Sequence, residues 1–151
     1  MSHPLFDKHR ATLDGALNAI RTRGYWSAYP EMPSPKVYGE TAQEDGKKAF
    51  DGYLGKEFDL GQPGRQSAIA TEASPYGVAL KVSYPKCDTQ ALIDAGTKAM
   101  PAWQKLGAEG RTGVCLEILD RINKRSFEVA TAVMMTTGQG WMMAFQAGGP
   151  H

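Results

Sequence analysis

Residues 126–151 carry a single formal charge, Glu128, in 26 positions. Four of the seven methionines lie there, as Met134-Met135 and Met142-Met143, beside Phe127, Val133, Trp141 and Phe145. A surface helix shows a polar face, whereas one that is apolar all round is normally enclosed by a larger body. Left bare, such a segment invites association. The expectation is that residues beyond this chain cover it, so that the chain is a piece of a longer protein. Burial between the subunits of a homo-oligomer is the alternative. The segment also suits a different class of function, a stand-alone helical oligomerisation or partner-binding module with a Met-rich surface.

The rest of the chain is charged in the ordinary way. The 17 basic and 16 acidic residues give a net charge of +1, with the signs interspersed and no basic stripe, which argues against nucleic-acid binding. No apolar run approaches the roughly 20 residues of a membrane span, and residues 1–10 lack the apolar centre of a signal peptide. Cys87 and Cys115 are therefore expected as free thiols in a reducing cytoplasm.

A first helix is expected over residues 4–23, with Phe6, His9, Leu13, Leu17 and Ile20 on one face and Gly24 as its stop. His9 reads as a packed histidine. Residues 25–40 form an extended connector, since Pro30, Pro33 and Pro35 cannot continue a helix. Its aromatics, Tyr25, Trp26, Tyr29 and Tyr38, are expected to pin it across an apolar surface. Thr41 to Glu44 has the spacing of a capping box and opens a short helix with Ala49, Phe50, Tyr53 and Leu54 as its stripe.

Residues 67–84 alternate like a β-hairpin around the turn Ser74-Pro75-Tyr76-Gly77, and Pro85 is expected to close the second strand. Asp88 caps a helix to about residue 105, with Leu92, Ala95, Ala99 and Trp103 on one stripe and Pro101 inside it. The next helix, about 108–123, places Cys115, Ile118, Leu119 and Ile122 at core spacing, so Cys115 reads as a core thiol. Glu117 and Asp120 read as solvated face charges. Ser126 is expected to cap the following helix, which Gly138 and Gly140 end. The organisation is thus 1–66, helices and connector, followed by 67–151, a hairpin and helices.

The chemistry-bearing residues are few. His3, His9 and His151 are the histidines, two of them near the ends. No Ser-His-Asp or Cys-His arrangement and no metal spacing can be assembled from them. GQPGR at 61–65 lacks the spacing and lysine of a P-loop, and TTGQGW at 136–141 does not follow a strand as a dinucleotide fingerprint must. No catalytic, cofactor-binding or metal residue is assigned.

From residue 67 onward the order is specific in combination: hairpin, Asp-capped helix, AMPAW at 99–103, then RTGVCLEILDRINKRSFEVATAVMMTTGQ at 111–139. This resembles the N-terminal region of the aldehyde dehydrogenase superfamily. The residues that carry the likeness are Ala99, Ala102, Trp103, Arg111, Ile118, Leu119, Arg125 and Thr136-Thr137-Gly138-Gln139. Thr137's neighbourhood departs from the family's Glu-Thr-Gly-Lys, with Thr for Glu and Gln for Lys. With MSHPLFDKHR, GYWSAYPEMPSPKVYGE and AFQAGGPH included, the chain resembles the PaaN-type branch that acts in bacterial phenylacetic acid degradation.

The resemblance implies an α/β enzyme of aldehyde dehydrogenase-like fold, of which this chain is a mostly α-helical part with one β-hairpin. It implies NAD- or NADP-dependent oxidation of an aldehyde, here a ring-opened CoA-thioester semialdehyde, by a cysteine thiolate, an oxyanion hole and a glutamate base. None of those residues falls in the matched region, so the chain alone is expected to be inert and to bind no cofactor. Its implied partner is the remainder of its own polypeptide, in a cytoplasmic homo-oligomer. The helix after the Thr-Gly motif, Trp141 to Gln146, is expected to approach the substrate channel.

Overall fold

A computed structural model describes residues 3–150. The expected helix over 4–23 is two helices, α1 (Pro4–Lys8) and α2 (Arg10–Thr22), divided at His9. His3 caps α1, its Nδ1 accepting from the Leu5 amide at 3.3 Å, so it is not a loose end; His151 lies outside the described residues. Phe6 and His9 are buried, but α2 buries nothing, and Ile20 is 73% exposed. The connector contains a one-turn helix, α3 (Pro35–Tyr38). Its aromatics do not act alike. Tyr38 packs edge-on to Phe127 and Phe145 and donates its hydroxyl to the Pro30 carbonyl at 2.6 Å, whereas Tyr25 is 93% exposed.

α4 (Ala42–Asp51) follows. Its capping box does not form, because the Thr41 hydroxyl turns to Asp45 at 2.7 Å instead of to a backbone amide. Ala49 faces outward, and the buried positions are Gly46 and Phe50.

One antiparallel strand pair is present, as expected, but displaced from the expected boundaries. β1 (Arg65–Ile69) pairs with β2 (Tyr84–Cys87), with Ala68 opposite Pro85 and Ile69 opposite Tyr84. The Ser74–Gly77 turn does close, the Gly77 amide donating to the Ser74 carbonyl at 2.9 Å. The ladder between is broken at Ala70 and Lys81, whose φ of 59° and 55° lie in the left-handed region that L residues seldom adopt. Pro85 sits within β2, where an edge strand tolerates its missing donor.

Four helices complete the chain: α5 (Thr89–Lys105), α6 (Gly107–Lys124), α7 (Ser126–Thr137) and α8 (Trp141–Gly148). Asp88 caps α5 as its sequence position demands, accepting from the Ala91 amide at 2.8 Å. Ser126 is not a cap; it is the first residue of α7 and is buried, its hydroxyl donating to Ile122 O. Gly138, at φ 78°, ends α7 in the left-handed conformation.

Two apolar clusters organise the fold. One gathers Phe50, Leu80 and Val82; the other gathers Phe127, Ala130 and Phe145, with Tyr38, Ala42 and Trp141 against it. The charge-poor segment therefore supplies much of the chain's own core. Its outer face, with Met143 61% exposed, stays bare. Among the described residues no helix is long and apolar enough to cross a membrane.

Candidate functional site

α6 packs on its glycine face, which apolar periodicity does not mark. Its buried residues are Gly110 and Gly113, while Cys115 and Ile118 lie outward. Cys115 is thus an exposed free thiol rather than a core one, and Cys87 is free as well. The cause is the glycines: a Cβ at Gly113 would lie 2.4 Å from the Phe6 amide nitrogen, so α1 can approach there and nowhere bulkier.

That approach brings together charges from both helices. Glu117 Oε2 accepts from Lys8 Nζ at 2.6 Å and meets His9 Nε2 at 2.7 Å; Oε1 accepts from Arg121 Nε at 2.9 Å. The Glu117 side chain is only 12% exposed. Neither it nor Asp120, which pairs with Lys124 at 2.7 Å, is a freely solvated face charge. Lys8, and after it His9 and Arg121, hold the Glu117 carboxyl far below the usual carboxylate range. His9, Glu117 and Asp120 place their ligand-type atoms within 4.8 Å of one another, a grouping that no linear spacing announces. The Lys8 ammonium, 3.9 Å from Asp120 as well, already supplies positive charge to both carboxylates.

The second polar centre lies where α4 meets α7. The Tyr53 hydroxyl donates to Glu128 Oε1 at 2.7 Å and accepts from Arg125 at 2.8 Å, while Arg125 grips both oxygens of Glu128. The hydrogen bond to Glu128, followed by burial, raises the Tyr53 pKa; Arg125 in turn lowers that of Glu128. Tyr84, half-buried and bonded to Glu72 at 2.8 Å, is likewise pushed up, chiefly by burial. These phenols stay protonated at neutral pH and serve as donors, which is the opposite of what a tyrosine base requires.

Among the clefts beside these helices, two are walled mainly by apolar side chains. One, of about 660 Å³, is walled by Phe50, Leu80, Met134, Met135 and Trp141, under a rim of Glu40, Glu44, Lys47 and Asp51. The other, of about 370 Å³, lies under Phe58, Tyr84 and Val133, with Arg125 and Glu128 at its edge. Neither wall contains a cysteine or histidine. The hydroxyl of Thr131 is engaged with the Phe127 carbonyl at 2.9 Å. A dinucleotide's diphosphate does not fit the larger cleft, because three rim carboxylates face one lysine that is itself paired with Asp51.

Of the stretch expected near a substrate channel, Trp141 reaches the larger cleft and stacks on Phe145, which is enclosed; Met142 and Met143 face outward. The corner before it is tied down from the hairpin loop, the Tyr76 hydroxyl donating to Gly138 O at 3.2 Å.

With this geometry the chain matches, over 100% of its length, part of the crystal structure of an NAD-dependent aldehyde dehydrogenase from Burkholderia multivorans, at 56% identity and a TM-score of 0.93. The fold is aldehyde dehydrogenase-like. The chain spans 27% of that protein's length. No family model matches the chain, and no curated protein does. The structural likeness supports the superfamily resemblance carried by residues 99–139.

Proposed function

We propose that this chain is the N-terminal part of an NAD(P)-dependent aldehyde dehydrogenase, in which it is scaffold rather than catalytic apparatus. The observation that carries this reading is the 56% identity over the whole chain to a quarter of an NAD-dependent aldehyde dehydrogenase. Neither cleft is lined by a cysteine or histidine, and the carboxylates at their rims are in keeping with a scaffold role. The thiolate, oxyanion donors, glutamate and dinucleotide site would come from the remainder of the polypeptide, in a cytoplasmic homo-oligomer. By its likeness to the PaaN-type branch, strongest in residues 24–40, the aldehyde is a ring-opened CoA-thioester semialdehyde from phenylacetate breakdown.

The test is a chimera. This chain replaces the matching segment of the Burkholderia enzyme, and aldehyde-dependent NADH formation is followed at 340 nm. We expect the chimera to oxidise aldehydes and the isolated chain to give no NADH. A folded but inactive chimera, or turnover by the isolated chain, overturns the proposal. Failure of the full polypeptide to accept the CoA-thioester semialdehyde, with simple aldehydes accepted, removes the substrate assignment alone.

A further inference from the structure

Between His3 and Gly24 only Phe6 and His9 are buried, and both lie at one short stretch of α6. The Phe6 backbone rests on Gly113, the His3 ring lies 3.5 Å from where a Gly110 Cβ would be, and Lys8 and His9 reach Glu117. Gly110, Gly113, Glu117 and Asp120 follow one another at helical spacing, so the whole attachment occupies a single face of α6. α2 beyond it buries no residue. Its close neighbour is the Trp26 ring over Gly15, which belongs to the connector that follows it in the chain.

Both donors from α1 converge on one oxygen, Glu117 Oε2. That carboxylate is thus the electrostatic centre of the contact, with Arg121 steadying its other oxygen from within α6 and Asp120 lending a second charge to Lys8 at 3.9 Å. An attachment built from one aromatic ring, a glycine floor and two carboxylates, of which Glu117 is the nearer, has a small buried area. Local opening of such a unit proceeds without disturbing the cooperative core. We propose that α1 and α2 form a strap that lifts from α6 as a unit, with Glu117 as its catch. Lifting exposes Phe6 and the Gly110–Gly113 face of α6, while α4, α7 and α8 keep their packing. The strap is sensitive to salt, because its catch is charged and Lys8, which holds it, is half exposed.

Amide hydrogen exchange of the 151-residue chain, read by mass spectrometry, tests this directly. Glu117→Gln keeps the shape and removes the charge; peptides from residues 4–22 should then exchange at least about threefold faster, as their open population rises. Peptides from 126–148 should keep the wild-type rate. Gly113→Ala acts by a different route, wedging a methyl group against the Phe6 backbone, and should give the same pattern. Raising sodium chloride should speed exchange in 4–22 of the wild type and have less effect in the Gln variant. Unchanged exchange in 4–22 for both variants overturns the proposal. So does equal acceleration in 126–148, which would make α1 an integral part of one cooperative fold.

Discussion

α5 carries an apolar stripe and α7 and α8 are apolar nearly all round, yet only the latter pair encloses side chains, Phe127, Ala130, Ala144 and Phe145, while the 17-residue α5 buries nothing. On α5, Leu92, Ile93, Met100 and Trp103 all stand largely in the open. A helical stripe says which side of a helix is apolar, not whether anything lies against it. What distinguishes the two regions is the neighbour. α7 meets α4 at Gly46, where a Cβ would lie 2.4 Å from that of Phe127, and meets α8 at Gly148, 2.9 Å from Val129 by the same measure. α5 has one such approach, at its first turn, where a Cβ on Gly64 would lie 2.6 Å from that of Ala91, while its own Gly96 meets nothing within 4 Å.

This contrast can be broken by mutation. Phe145→Ala should cost about 3–5 kcal/mol in urea unfolding, because an enclosed aromatic leaves a cavity; a cost under 1 kcal/mol, about the size of a surface change, would place the core elsewhere. Gly46→Ala should cost about 1–3 kcal/mol by forcing α4 from α7, and an unchanged melting point would show that the two helices slide apart freely.

Acid should act on the packed region next. The Glu128 pKa is lowered by Arg125, so the stability it contributes is present in full above the ordinary glutamate value, about 4.3, and is lost as pH falls below it. Urea midpoints should therefore be flat in this respect from pH 5 to 7 and fall at lower pH, and Glu128→Gln should flatten that fall. Asp88→Ala removes the α5 cap and should cost about 1 kcal/mol, read as faster exchange in α5 with α7 unaffected. Smallest of all, Ile93→Ser should lie within about 0.5 kcal/mol of the parent in this chain. A loss above 2 kcal/mol would mean that α5 is already covered here.

Signals that act within a few residues were legible in the sequence. The Asp88 cap and the Gly138 stop need only local backbone geometry, and both stand where the sequence puts them. The aldehyde dehydrogenase likeness was legible too, through the order of several weak motifs. The packed face of α6 was not, because periodicity counts apolar residues and Gly110 and Gly113 offer none. Their use is to be small beneath α1. Thr41 misled for a related reason: its box spacing is right, but Asp45, one residue beyond Glu44, competes for the hydroxyl. The strand limits slipped because the left-handed turns at Ala70 and Lys81 fall on residues that give no warning of them. The Glu117 centre joins residues 109 positions apart and could emerge only from the fold.

That separation has a consequence in time. The ribosome adds roughly 5–20 residues per second, so α1 is finished roughly 5–20 s before the carboxylate that receives it exists. During that interval Phe6 has no seat on the nascent chain and is open to chaperones or to a neighbouring nascent copy. α1, made well before α6, can thus settle only after it, and for this contact the order of synthesis runs against the order of assembly.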